Sequence, residues 1–201
     1  MEDWQFETIN VPADGSCFFS SIAISMNDSM DRWVSIPRIK EMMMHHWDRY
    51  TRLGLEKTED ITPKFIRYMS ASAMDTDGLD LYNAEASILK KKQFKTPEEL
   101  ARHILHSRCW ADHSMIRSFM QSMRYTISIV VFDSRISDTV YMPKEWTQKK
   151  DLYMCLQLEG QHYSPMRLTY KDDQMKLCVD RSVIRKMMHE CKDGCDVDNI
   201  Y

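Results

Sequence analysis

After the turn-forming run Asp14-Gly15-Ser16, the apolar residues Phe18, Ile22 and Met26 recur four apart, which predicts a helix opening at Cys17 with one face buried. From Trp33 the positions Ile36, Ile39, Met43, Trp47 and Tyr50 continue a helical period, with Ser35 as its expected cap and Gly54 as its stop. Thr62-Pro63 and Thr96-Pro97 each set a capping hydroxyl before a proline at the first helical position, and Glu99 completes a capping box with Thr96. Between them, Ala73 to Asn83 ("AMDTDGLDLYN") reads as an acidic surface turn. Asp112 is placed to cap a further helix whose stripe is Ile116, Phe119, Met120 and Met123.

Beyond Met123 the period shortens. "YTISIVVFD", "TVYM", "DLYMCLQLE" and "HYSPMRLTY" are rich in β-branched and aromatic residues and have strand length, and "FETINV" near the start reads as extended. Helices followed by a run of strands predict an α+β domain in which an antiparallel meander packs on the earlier helices. The residues from Val179 to about Met188 look helical, and the polar tail from about residue 189 is expected to fray. With no linker composition and no internal repeat, residues 1–201 read as one domain.

Composition narrows the function classes. Hydrophobic residues make up 43% and charged residues 28%, and no apolar run approaches the roughly 20 residues of a membrane span. A net charge of −3 and a lone basic run, Lys90-Lys91-Lys92, argue against nucleic acid as a partner. The first residues carry Asp3, Glu7 and Asp14 and no apolar signal core, so a cytoplasmic monomer is the expectation. The six cysteines are dispersed, which favours free thiols over a disulfide scaffold. The Met-rich "EMMMHHW" is read as helix and core filler, not as a soft-metal site.

Among those thiols Cys17 stands out. A sulfur in the first turn of a helix meets backbone N–H groups with no intrahelical acceptor and the positive end of the macrodipole, both of which favour thiolate. A nucleophile also needs a base, an orienting group and donors for an oxyanion. Of the seven histidines, His45, His46, His103, His106 and His189 lie in helix-like contexts, whereas His162 follows the Glu159-Gly160 turn and opens a strand able to aim its imidazole. The bland alternative is a buried thiol and an exposed strand histidine. A zinc reading of His103, His106, Cys109 and His113 fails because structural zinc motifs pair their cysteines around turns, and "CKDGC" with His189 lacks a fourth ligand.

Three blocks carry a family resemblance. "DGSCFFSSIA" resembles the motif of the ovarian tumour (OTU) cysteine proteases, in which an Asp-Gly-x-Cys turn opens the central helix. "WADHSMIRSFMQSMRYTISIVVFD" is similar to the family's tryptophan-containing segment, helix and core strand, and "HYSPM" to its histidine strand, so the blocks span residues 14–166 in order. The resemblance implies a papain-like α+β fold and a cofactor-free thiol isopeptidase that removes ubiquitin or a ubiquitin-like modifier from lysine. It further implies Cys17 as nucleophile, His162 as general base, and N–H groups of the Asp14–Cys17 turn as the oxyanion hole. Gly15 and Ser16 would keep the approach open, and Trp110 would line the channel for the modifier's glycine tail.

One position departs from the pattern. Family members commonly carry Asn or Asp two residues after the histidine, but here Ser164 stands there and supplies no negative charge. Asp14 is therefore the expected acidic residue. The same departure supports a second reading, a ubiquitin-binding module that keeps the fold and has lost turnover.

Overall fold

The computed structural model describes residues 3–54, 59–107, 111–133, 140–141 and 152–191, with backbone only for 133, 140–141 and 188–191. Strand β1 (Trp4–Thr8) is followed by seven helices: α1 (Cys17–Asp28), α2 (Met30–Ser35), α3 (Pro37–Arg52), α4 (Pro63–Ser72), α5 (Thr76–Ile88), α6 (Pro97–His106) and α7 (His113–Ser122). Then come β2 (Ile127–Asp133), β3 (Val140–Tyr141), β4 (Leu152–Glu159), β5 (His162–Tyr170), β6 (Asp173–Gln174), β7 (Cys178–Asp180) and α8 (Arg181–Cys191).

The sheet runs β1-β5-β4-β2-β3, with β6 beside β5 and β7 beside β4. Its pairings are antiparallel except one: β2 and β4 run parallel over Ile127–Asp133 and Leu152–Leu158. The α+β expectation is met with that correction to the meander. Burial explains it, since β4 is enclosed from Leu152 to Leu156 and β2 carries Ile127, Ile129, Val130 and Val131 in the core, as a parallel pair covered on both faces requires.

Two apolar layers hold the sheet. The larger joins Phe18, Ile22 and Met26 of α1 to the inner faces of α3, α4 and α7 and to Ile129, Met154, Leu156 and Tyr163 of the sheet. The smaller, on the opposite face, gathers Trp4, Val130, Tyr153, Met166 and Leu168 under Ile184 and Met187 of α8.

Beside its apolar stripe, α1 and the Ser29 that ends it set a row of small polar residues against the sheet. Ser21, Ser25 and Ser29 recur four apart, all are fully buried, and two of them bond the sheet: Ser21 Oγ donates to the Tyr163 carbonyl at 3.2 Å and Ser29 Oγ accepts the Cys178 N–H at 2.8 Å. At the far end of α1, Asp28 takes the Leu177 N–H at 2.8 Å and an ion pair from Arg167 at 3.2 Å. Phe18 closes the near end edge-on to Tyr163, with ring centroids 5.4 Å apart.

The expected helix starts at Thr62, Thr96 and Asp112 are present, each side chain accepting a first-turn N–H. Glu99 reaches back to the Lys95 N–H, so the box closes one residue before the cap. Ser35 is not a cap. Its hydroxyl bonds Arg32 at the end of α2, and Pro37 starts α3 after an extended Ile36. Gly54 lies just beyond α3 at φ 74°.

The acidic stretch 73–83 is also corrected: it is the start of α5, capped by Asp75 through the Gly78 N–H at 2.8 Å. A Cβ at Gly78 would stand 2.7 Å from Met74 Sδ, so a larger residue there requires the Met74 side chain to move. The C-terminal helix runs from Arg181 to Cys191, and residues 192–201, expected to fray, lie outside the described residues. Among the described residues no helix is long and apolar enough to cross a membrane.

Asp75 does more than cap. Its carboxylate accepts from Arg117 at 2.6 and 3.3 Å and from Gln121 at 3.0 Å, and chiefly the Arg117 bond holds its acid constant down to about 2. Because the folded value is depressed, this contribution is complete above the ordinary carboxylate range and is lost as pH falls through about 2. Asp75→Ala at neutral pH should cost about 1–2 kcal/mol, a cap of about 1 kcal/mol plus a part-exposed, solvent-screened ion pair of under about 1 kcal/mol, read from the urea midpoint. An unchanged midpoint would show that α5 does not depend on this residue.

Candidate active site

The sequence from Asp14 to Cys17 makes a turn that only glycine allows cheaply at its second position. Gly15 adopts φ 81° and is buried, so a side chain there would be strained. The Asp14 carboxylate accepts the Ser16 N–H at 2.9 Å, an Asx turn that delivers the chain into α1. Ser16 occupies the N-cap position, yet its side chain makes no capping bond to the helix. Its hydroxyl instead receives Arg67 of α4, at 3.0 Å.

Cys17 is 1% exposed, and its sulfur lies against the start of β5. The Tyr163 N–H donates to Sγ at 3.5 Å, and the Gln161 carbonyl lies 3.9 Å from it, so the thiol touches the backbone on both sides of His162. Burial pushes the thiol above its ordinary value, the Tyr163 and Phe18 N–H groups pull it back, and the Asp14 charge raises it. Burial wins. The helix start alone suggests a thiolate, but desolvation of the anion outweighs the few amides aimed at it and favours the thiol.

His162 is the first residue of β5, paired with Glu159 across the Gly160 turn, and its Nδ1 is buried without a hydrogen-bond partner. Ser164, two residues on, is buried opposite Gln157, whose Oε1 accepts the Thr8 hydroxyl at 2.5 Å. Tyr163 faces α1, so strand alternation starts His162 and Ser164 on the other side of β5. Cys17, Asp14, Gly15, Ser16 and the backbone around His162 are thus neighbours. Trp110 and Cys109 lie outside the described residues.

Three other histidines are engaged elsewhere. His46 is buried with Nε2 2.9 Å from the Ser122 carbonyl, and desolvation lowers its acid constant. His103 meets the Ser107 hydroxyl at 3.3 Å and packs against Phe94, while His113 pairs with Glu85 at 2.5 Å. Among the described residues, no three His, Cys, Asp or Glu side chains are grouped to hold a metal ion.

By sequence, no protein-family model and no curated protein matches the chain. Solved structures do. An OTU domain in complex with ubiquitin is 17% identical and superposes at a TM-score of 0.51 over 89% of this chain and 76% of its own. A ceOTUB1 ubiquitin aldehyde UBC13~Ub complex gives 0.53 at 16% identity over 82% and 80%. An h/ceOTUB1-ubiquitin aldehyde-UBCH5B~Ub structure gives 0.51 at 15% over 80% and 75%. The chain has the fold of an OTU domain.

Within that OTU fold, Arg67 went unnoticed in the sequence. In "FIRYMS" it is flanked by residues that are all buried, and an arginine is ordinarily placed in solvent by default. Lys64, Arg67 and Ser70 recur three apart, which reads as a solvated face, so the sequence carried no signal that Arg67 is enclosed.

Because burial raises the Cys17 thiol, its alkylation by iodoacetamide in the resting protein should still be accelerating at pH 9.0, measured as the rate of mass gain on the Cys17 peptide. A plateau reached near neutrality would mean that the thiolate already exists at rest.

Proposed function

We propose that this protein is a cysteine-type deubiquitinase, a thiol isopeptidase that hydrolyses the bond between the C-terminal glycine of ubiquitin, or of a ubiquitin-like modifier, and a lysine side chain. The single observation that carries the reading is the contact of Cys17 Sγ with the Tyr163 N–H, which seats a helix-start thiol beside His162. The ubiquitin in neighbouring complexes supports the choice of substrate.

In this reading His162 removes the Cys17 proton as sulfur attacks the isopeptide carbonyl, meeting the thiol around the end of β5 and not across its face. The new C–S bond leaves an oxyanion, held by N–H groups of the Asp14–Cys17 turn; Ser16 N–H is already given to Asp14, so the Gly15 and Cys17 amides take this part. Collapse breaks the C–N bond, and the imidazolium returns the proton to the departing lysine amine. Water, deprotonated by His162, then cleaves the thioester and regenerates the thiol. A protonated resting thiol fits this sequence, since proton removal and attack are coupled.

Asp14 is the proposed acidic residue. Its charge already reaches Cys17, where it disfavours a lone thiolate. Ser164 can accept a bond but adds no charge. Trp110 is proposed to line the glycine channel. A cytoplasmic location and the monomeric state belong to the same proposal.

Cys17→Ala and His162→Ala should each abolish diubiquitin cleavage without changing the circular dichroism spectrum. Ubiquitin bearing a C-terminal electrophile should label the wild type and not Cys17→Ala. Binding without an adduct would instead favour the non-catalytic ubiquitin-binding module.

Asp14→Ala should reduce kcat/KM more than Ser164→Ala does. The reverse order would transfer the orienting role to Ser164.

A further inference from the structure

The peptide between Gly15 and Ser16 is gripped on both edges. Its N–H donates to the Asp14 carboxylate at 2.9 Å, and its C=O accepts from Arg67 Nη2 at 3.4 Å. The same Nη2 reaches Ser16 Oγ at 3.0 Å. Arg67 is itself immobilised: Nη1 donates to the Ile104 and Ser107 carbonyls, both at 2.9 Å, and the guanidinium lies 4.1 Å over the Phe19 ring. Arg67 is 7% exposed, so these are bonds made away from competing water.

We propose that Arg67 is a positioning residue for the oxyanion-binding turn, an inference that rests on the deubiquitinase reading above. A peptide plane turned over would carry its N–H toward the guanidinium and its C=O toward the carboxylate, two like-polarity encounters in a buried setting. With that plane fixed, the amides on either side of it keep their aim. Arg67 also links the turn to the last carbonyls of α6, so the end of that helix and the nucleophile's turn share one planar cation. Lysine does not substitute for it, because a single ammonium lacks the fork that spans both sets of acceptors.

The test compares two reactions of the same thiol. Hydrolysis of a fluorogenic C-terminal amide of ubiquitin passes through an oxyanion; alkylation by iodoacetamide does not. Arg67→Met should lower kcat by about 10–100-fold, the size of effect produced by a misaimed oxyanion donor, with KM changed by less than about threefold. Cys17 alkylation should stay within about threefold of wild type, because sulfur access is unaltered. Arg67→Lys should fall between, and it serves if Arg67→Met does not fold.

Equal losses in both reactions would reduce Arg67 to general support of the site, and an unchanged kcat would remove it from the turn; either overturns the proposal. Should the wild type hydrolyse nothing, the enzyme reading fails by itself. The clamp is then judged by amide exchange at Ser16, which should quicken by about tenfold or more in either variant if Arg67 steadies the plane. Unaltered exchange overturns it.

Discussion

The N–H of Tyr163 directed at Cys17 Sγ is the contact on which the molecule turns. It joins the first residue of α1 to the second residue of β5, positions separated by most of the chain. Much of what supports it lies between α1 and β5: the Phe18–Tyr163 ring pair beside the thiol, the Ser21 hydroxyl on the Tyr163 carbonyl, and the Asp28–Arg167 pair at the opposite end. A helix pinned at both ends neither slides along nor rotates against the strand. The registration of sulfur against the His162 backbone is therefore a consequence of core packing, not of a local loop.

The same packing bears on the protonation of Cys17. A helix terminus is worth up to about 2 kcal/mol to a partly buried charge, whereas burying a thiolate among apolar side chains shifts its pKa by several units when nothing compensates. Cys17 lies between Phe18, Phe19 and Tyr163, and the balance falls on the side of the thiol. The Asp14 charge pushes in that direction too.

Local chemistry made much of this legible in advance. Thr62, Thr96 and Asp112 announce helix starts because a capping oxygen needs only the next three residues to act. Cys17 and His162 were visible for a similar reason, since a turn before a helix and a turn before a strand are both written in consecutive residues. Three features were not legible. The Ala73–Asn83 stretch reads as a turn until Arg117, forty-two residues on, is seen to neutralise Asp75. Ser35 looks like a cap, but the proline two residues later fixes the helix start first. The parallel β2–β4 pairing depends on coverage of both faces, which no single strand encodes.

Arg67 belongs with those three, and it shows what the helical half contributes. The helices from α3 to α7 share one apolar layer with α1 and the sheet, and Trp47, Tyr50, Phe65 and Tyr68 pack ring on ring within it. A buried guanidinium in such surroundings is costly unless each donor direction finds an oxygen. Such oxygens include the terminal carbonyls of α6 and the Gly15–Ser16 turn. The cation's need for acceptors thus draws the turn toward the helices while the Tyr163 amide draws Cys17 toward the sheet. The turn is thus held between helices and sheet, by Arg67 at the Gly15 carbonyl and Ser16 hydroxyl and by the Tyr163 amide at Cys17.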